Sequence, residues 1–208
     1  MNPAELLAAI DRESAACTLC ALQHSRKHAV SGEGPPEAEI MFIGEGPGFH
    51  ENEQGRPFVG AAGKFLVELL AGIGVTREQV FITNVVKCRP PGNRDPQIEE
   101  LQACNDYLER QIQAINPKVI VTLGRFSTAR FFPNAKVSQV HGQTLRVGDK
   151  TIVPMYHPAA ALHQPSLRTA VENDFSQLPS LIASAREIQE ITPSAYENTE
   201  NPEQLTLF

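Results

Sequence analysis

Four short runs of apolar residues recur along the chain: EIMFIG (39–44), VFITNVV (80–86), KVIVTLG (118–124) and TIVPMYH (151–157). Hydrophobicity in them is nearly continuous rather than alternating, as expected of strands buried on both faces. Between and beside the runs, the apolar spacing changes to three and four. Residues 4–16, GAAGKFLVELLAGIG (60–74), IEELQACNDYLERQIQAI (98–115) and RFSTARFF (125–132) therefore read as helices. Each gap between strands leaves room for a crossover, which makes the strands parallel. The expected fold is α/β, a three-layer αβα arrangement with a central four-stranded, mainly parallel sheet. The stretch VSQVHGQTLRVGD (137–149) has room for a small hairpin before the last strand, and no internal repeat of fixed period is present.

Open α/β sheets bind ligands beyond the carboxyl ends of their strands. There the chain places Gly44, Glu45 and Gly46 after the first run, Asn84 near the end of the second, Gly124 after the third and His157 after the fourth. Singly, each of these polar groups reads better as a cap or a satisfied core residue. Their common position on one rim points to an active site.

The glycine-rich loop that follows the first strand, GEGPGFHENEQGRPFVGAAGK, is not a phosphate cradle. A P-loop needs glycine where Phe58 stands and a hydroxyl where Phe65 stands. The dinucleotide spacing G-x-G-x-x-G fails as well, and Glu45, Glu51 and Glu53 would repel a pyrophosphate. The loop suits a neutral substrate or one that develops positive charge.

Charge adds a division of the chain. The net charge is −6, and the stretch from Arg186 onward, with five glutamates and one arginine, carries −4 of it. Residues 1–185 thus form a near-neutral domain, and 186–208 an acidic tail expected to be disordered. A near-neutral body can still meet phosphates through local clusters such as KCRPPGNR, with Lys87, Arg89 and Arg94, although a solvated basic loop is the plainer reading. No apolar run reaches the ~18 residues of a membrane span. The acidic start MNPAELLAAIDRE is unlike a secretion signal, so a cytoplasmic location is expected. In that compartment the four cysteines, at 17, 20, 88 and 104, read as thiolate ligands rather than disulfides. Their spacing does not choose between zinc and an iron–sulfur cluster.

Taken together, GEGPG, GRPFVGAAG, TNVVKCRPPGNRDP and YHPAAAL, with the four cysteines, resemble the family 4 uracil-DNA glycosylases from about Cys17 to about Phe175. The related enzymes that trap uracil covalently carry a basic, histidine-containing insertion after the second strand, which NVVKCRPPGNRDP lacks. Family 5 lacks the glutamate that stands here as Glu45. The resemblance implies a monofunctional glycosylase that excises uracil from single- and double-stranded DNA and so initiates base excision repair. It implies a 4Fe-4S cluster on Cys17, Cys20, Cys88 and Cys104, and Phe58 beneath the uracil ring.

The chemistry of the remaining residues is consistent with that reading. An amide at Asn84 can donate to uracil O4 and accept from N3–H, where cytosine offers the reverse pattern. His157 would donate to uracil O2 as charge develops there. Glu45 would position or activate water and face the cationic sugar, with Glu51 behind it. Asn52 stands where the family often has aspartate. Gly44 and Gly46 would close the base pocket, Leu162 would fill the gap left by the flipped nucleotide, and His163 and Arg168 would touch phosphate. The terminal QLTLF, with Gln204, Leu205, Leu207 and Phe208, resembles a sliding-clamp peptide. A monomer is expected, with no membrane partner. Two alternatives stand beside the enzyme: a non-catalytic iron–sulfur electron carrier, and a protein that holds uracil-containing DNA without cutting it.

Overall fold

The four apolar runs become strands β1 (Ile40–Gly44), β2 (Phe81–Asn84), β3 (Val119–Leu123) and β5 (Lys150–Met155) of one sheet. The structure is a computed structural model that describes residues 2–191. A fifth strand, β4 (Leu145–Val147), pairs antiparallel with β5, giving the order β2-β1-β3-β5-β4. The sheet therefore has five strands rather than four. The extra one is the first arm of the anticipated hairpin, and with three residues, two of them exposed, it leaves little apolar trace in the sequence.

Successive strand residues serve opposite faces. Phe42, Ile82, Val121 and Val153 pack with Leu66 and Leu70 of α3 (Ala61–Gly72) and with Phe175 and Leu178 of α8 (Arg168–Ile191). Met41, Ile43, Phe81, Ile120 and Ile152 pack with Leu108, Ile112 and Ile115 of α4 (Ile98–Ile115), and Leu7 of α1 (Pro3–Ala16) lies against them. Two apolar cores on the two faces of one sheet establish the three-layer architecture, each fully buried side chain of this size contributing about 1.5–3 kcal/mol. A single-turn helix, α6 (Val137–Val140), leads into β4 and anchors Val137 in the interior. Local signals set the helix starts. Asn2 Oδ1 accepts the Glu5 N–H at 2.9 Å while the Glu5 carboxylate accepts the Asn2 N–H at 2.9 Å, with Pro3 in the first turn.

Helix α8 crosses the boundary drawn between domain and tail at residue 185 and continues to Ile191. Its buried stripe, Val171, Phe175, Leu178 and Ile182, follows helical spacing around an internal Pro179, which hides the helix from a sequence reading. Gln204, Leu205, Leu207 and Phe208 lie outside the described residues.

From β1 the chain steps to β2 on one side, then returns past β1 to β3 on the other. This reversal opens a crevice beyond the carboxyl ends of β1 and β3, the usual ligand position in such sheets. An antiparallel bridge between Glu33 and Ile82 covers the outer edge of β2. Among the described residues no helix is long and apolar enough to cross a membrane.

Candidate active site

The ends of β1 and β2 are stapled together beyond the sheet. Gly44 C=O accepts the Val85 N–H at 3.0 Å and Glu45 C=O accepts the Val86 N–H at 3.1 Å. This brings Asn84 beside Gly44 so closely that a Cβ on Gly44 would stand 2.4 Å from Asn84 Oδ1 and 2.7 Å from the Phe58 ring. Only glycine leaves that space open to a ligand. At Gly46 a Cβ would meet the Val86 side chain at 2.7 Å. Asn84 is 1% exposed, and its Oδ1 is buried without a hydrogen-bond partner. Leaving such an acceptor unmade costs about 1–3 kcal/mol, so a partner that donates at this point is strongly favoured.

Phe58 forms the floor. Its backbone is left-handed, with φ 51°, a conformation that costs a bulky residue about 1–3 kcal/mol and persists only where surrounding contacts enforce it. Three contacts do so here. Arg77 donates to the carbonyls of Phe58, at 3.0 Å, and Pro57. Glu51, in the short helix α2 (Phe49–Gln54), accepts the amides of Val59 at 2.9 Å and Gly60 at 2.7 Å. Gly63 of α3 passes so close that a Cβ there would lie 1.9 Å from Phe58 C=O. Glu51 thus shapes the floor, its Oε1 accepting both amides.

The imidazole of His157 lies roughly parallel to the Phe58 ring, with centroids 5.5 Å apart and planes at 25°. His157 caps α7 (Pro158–His163), its Nδ1 accepting the Ala159 N–H at 3.1 Å. A nitrogen that accepts carries no proton, so the neutral ring holds its proton on Nε2 and offers it as a donor. Burial drives the pKa of His157 down to about 4, against a smaller opposing pull from the Glu51 carboxylate. The sequence does not fix this protonation; the fold makes the ring a neutral donor at neutral pH.

Glu45 is half-buried at the tip of β1. Burial raises its pKa, Asp95 adds to the rise, and Arg125 opposes it. Asp95 and Arg125 are themselves ion-paired across the rim. Asp95 closes the stretch TNVVKCRPPGNRDP, where nothing ties it to Glu45, and Arg125 opens α5 (Arg125–Ala129), far from Glu45 in sequence. Asn52 is buried and structural, its Oδ1 accepting the Lys27 N–H at 2.9 Å.

The surface residues divide. Leu162 is 42% exposed at the end of α7, and His163 and Arg168 are exposed beyond it. Arg168 bonds Glu172 at 2.8 Å and sits over the Phe65 ring. Arg89 is held by Asn93 Oδ1 at 2.7 Å and lies 5.3 Å over the exposed ring of Phe49, a residue that no sequence motif singles out. Arg94 is committed to both oxygens of buried Glu100, at 2.9 and 2.6 Å. Lys87 corrects an expectation: it is buried, 1% exposed, and its ammonium bonds interior oxygens, so it does not reach a phosphate.

Behind this loop, Cys17, Cys20, Cys88 and Cys104 line one recess together with Arg26 and Tyr107. Cys17 closes α1, Cys20 precedes a short 3-10 turn, Cys88 follows β2 and Cys104 lies in α4. Two N–H groups point at sulfur, Lys87 N–H at Cys104 Sγ (3.4 Å) and the Arg26 guanidinium at Cys88 Sγ (3.6 Å). Arg26 also donates to the carbonyls of Cys17 at 2.8 Å and Ala15 at 2.6 Å.

Comparison with known proteins agrees with this geometry. The sequence pattern of the Uracil DNA glycosylase superfamily matches residues 31–177. A type-4 uracil-DNA glycosylase of Sulfurisphaera tokodaii is 49% identical, the match covering 90% of this chain and 86% of the relative. That of Archaeoglobus fulgidus is 49% identical, covering 85% of this chain and 94% of the relative. That of Saccharolobus solfataricus is 51% identical, covering 81% and 82%. With most of its described length matched and with relatives near half identity, this chain belongs to the uracil DNA glycosylase superfamily and groups with its type-4 members.

Proposed function

We infer that the protein is a monofunctional uracil-DNA glycosylase of base excision repair, acting as a monomer in the cytoplasm on single- and double-stranded DNA. The observation that carries this is the orphaned acceptor of Asn84, buried beside the open wall at Gly44 and above the ring of Phe58. Uracil N3–H is the donor it lacks, and the amide nitrogen of the same side chain meets O4. An electron carrier would leave that acceptor unexplained. The reading is tested by incubation with uracil-containing single- and double-stranded DNA, scored for free uracil and alkali-labile sites. Release from neither would overturn it.

In the reaction, the uracil nucleotide leaves the stack and its ring lies on Phe58, a step that costs a few kcal/mol of unstacking. The C1′–N1 bond breaks with its electron pair moving onto uracil. His157 donates Nε2–H to O2, where that charge gathers, without becoming charged itself. Glu45 faces the sugar as it becomes cationic and takes a proton from the water that adds to C1′. Uracil departs as its anion and is protonated from solvent, to which Glu45 returns the water proton, so the products are free uracil and an abasic site. Leu162 fills the vacated stack, and Arg89, His163 and Arg168 hold the backbone.

Replacing Asn84 by aspartate sets a carboxylate against uracil O4. Uracil excision is expected to slow by about tenfold or more, the scale of a bidentate base contact, and the preference over cytosine to narrow. Single-turnover rates on both bases measure this, and unchanged rates would remove Asn84 from base choice.

Cys17, Cys20, Cys88 and Cys104 would hold a 4Fe-4S cluster, which when bound fastens the end of α1, the loop after β2 and α4 to one another. The fit rests on how the thiols are gathered. All four face one recess, with N–H groups directed at two of the sulfurs. Zinc and an iron–sulfur cluster both take four thiolates, and the choice of the cluster follows from the resemblance to the family 4 glycosylases. Anaerobically purified protein is expected to be brown with four irons per chain. An iron-free, folded preparation would refute the cluster.

The last five residues are proposed to bind the sliding clamp. Deletion of 204–208 is expected to abolish clamp pull-down while leaving uracil release on short oligonucleotides unchanged.

A further inference from the structure

Lys87 is among the largest fully buried side chains of the molecule. Its Nζ lies 2.7 Å from Thr83 Oγ1, 2.9 Å from the Asn84 carbonyl and 2.7 Å from Gln111 Oε1. Three neutral oxygens surround this one nitrogen within hydrogen-bond distance. Burying a polar head group is unfavourable compared with filling the same volume with an apolar side chain, so packing alone does not account for a lysine here.

The partners show what the lysine does. Thr83 and Asn84 end β2, while Gln111 comes from α4. Gln111 and Thr83 both donate to Ser31 C=O, at 2.8 and 2.6 Å, which ties the network to the segment before β1. At its other end, the Lys87 backbone N–H points at Cys104 Sγ at 3.4 Å, and its carbonyl accepts the Val30 N–H at 2.7 Å. The residue is thus gripped by its backbone next to the cysteines and by its side chain next to the base-reading amide.

We propose that Lys87 is a positioning residue for uracil recognition: holding the Asn84 carbonyl from the cysteine side, it fixes the angle at which the Asn84 carboxamide meets the base. This rests on the glycosylase reading above. The Gly44 wall confines the Asn84 side chain, while its main chain is held by the ladder with β1 on one side and by Lys87 Nζ at its carbonyl on the other. Assembly of the cysteine set is thereby coupled to base recognition without any contact between them.

The test uses full-length, iron-loaded protein and Lys87→Met. Iron content and affinity for abasic-site DNA are expected to stay at the wild-type level. Inhibition by free uracil, which reports the Asn84 contact, is expected to weaken about tenfold to a hundredfold, the scale of a buried acceptor left unsatisfied. In an Asn84→Ala background the same substitution is expected to add less than about twofold, since both act through one group. Unchanged uracil inhibition in the iron-complete variant, or effects that multiply in the double variant, would overturn the proposal. Should Lys87→Met fail to fold, Thr83→Val removes one ammonium partner at constant volume. Weakened uracil inhibition with intact abasic-DNA affinity supports the role there, and wild-type inhibition overturns it. A wild-type protein that releases no uracil at all would fell the glycosylase reading itself, an outcome distinct from failure of the Lys87 role.

Discussion

Replacing Glu45 by glutamine is expected to slow single-turnover uracil excision by about 10²–10⁴, the range for loss of a positioned general base, while DNA affinity changes little. The pH dependence gives a second signature. The carboxyl pKa is raised, chiefly by burial and further by Asp95. The base works deprotonated, so the rate should climb as pH rises through a value above the ordinary carboxylate range. Glu45→Gln should flatten that limb. Arg125 opposes the rise, so Arg125→Ala should move the limb to still higher pH. A limb that survives Glu45→Gln would assign it to another group. Rescue of the slow variant by azide, a nucleophile that needs no base, would mark water activation as the lost function; absence of rescue would leave stabilisation of the cationic sugar.

The second large effect is at His157. Its loss to alanine removes the Nε2–H proposed to meet uracil O2 and is expected to slow excision by about 10²–10³, as for removal of an oxyanion-hole donor. The imidazole is neutral down to about pH 4, so its donor does not titrate between pH 5 and 8. The substitution should therefore lower the pH–rate profile without changing its shape. Stability responds differently. The folded protein holds the His157 pKa below its ordinary value near 6.5, so the unfolded chain binds more protons. The contribution is fully present above that value and is lost as pH falls toward 4. His157→Ala should accordingly denature less steeply in acid, and a thermal melt series across that window measures it. An unchanged slope would remove His157 from the acid response.

Much of the fold and of the pocket is legible in the amino-acid sequence itself. Continuous runs such as KVIVTLG reveal a doubly covered strand directly, and IEELQACNDYLERQIQAI shows its helical stripe. Glu45, Asn84 and His157 declare themselves by standing at or just past strand ends. What the sequence hides are relations between distant residues. Arg77 is the clamp on the Phe58 carbonyl, yet nineteen residues separate them. Asp95 and Arg125 act on Glu45 only because a loop and a helix start fold onto the same rim. Lys87 misleads because a lysine within KCRPPGNR reads as part of a basic surface, and no local pattern announces that its partner Gln111 will be buried opposite. Helix α8 is masked because one stripe of four apolar residues is diluted by polar neighbours and Pro179.

The turn at Phe58 has a consequence for how undamaged DNA is inspected. Arg77, Glu51 and Gly63 fix the floor of the pocket before any base arrives. The conformational cost of building a uracil-shaped space is thus met once, during folding, and not at each encounter. For an enzyme that samples very many normal nucleotides per lesion, a floor built in advance would shorten each fruitless visit.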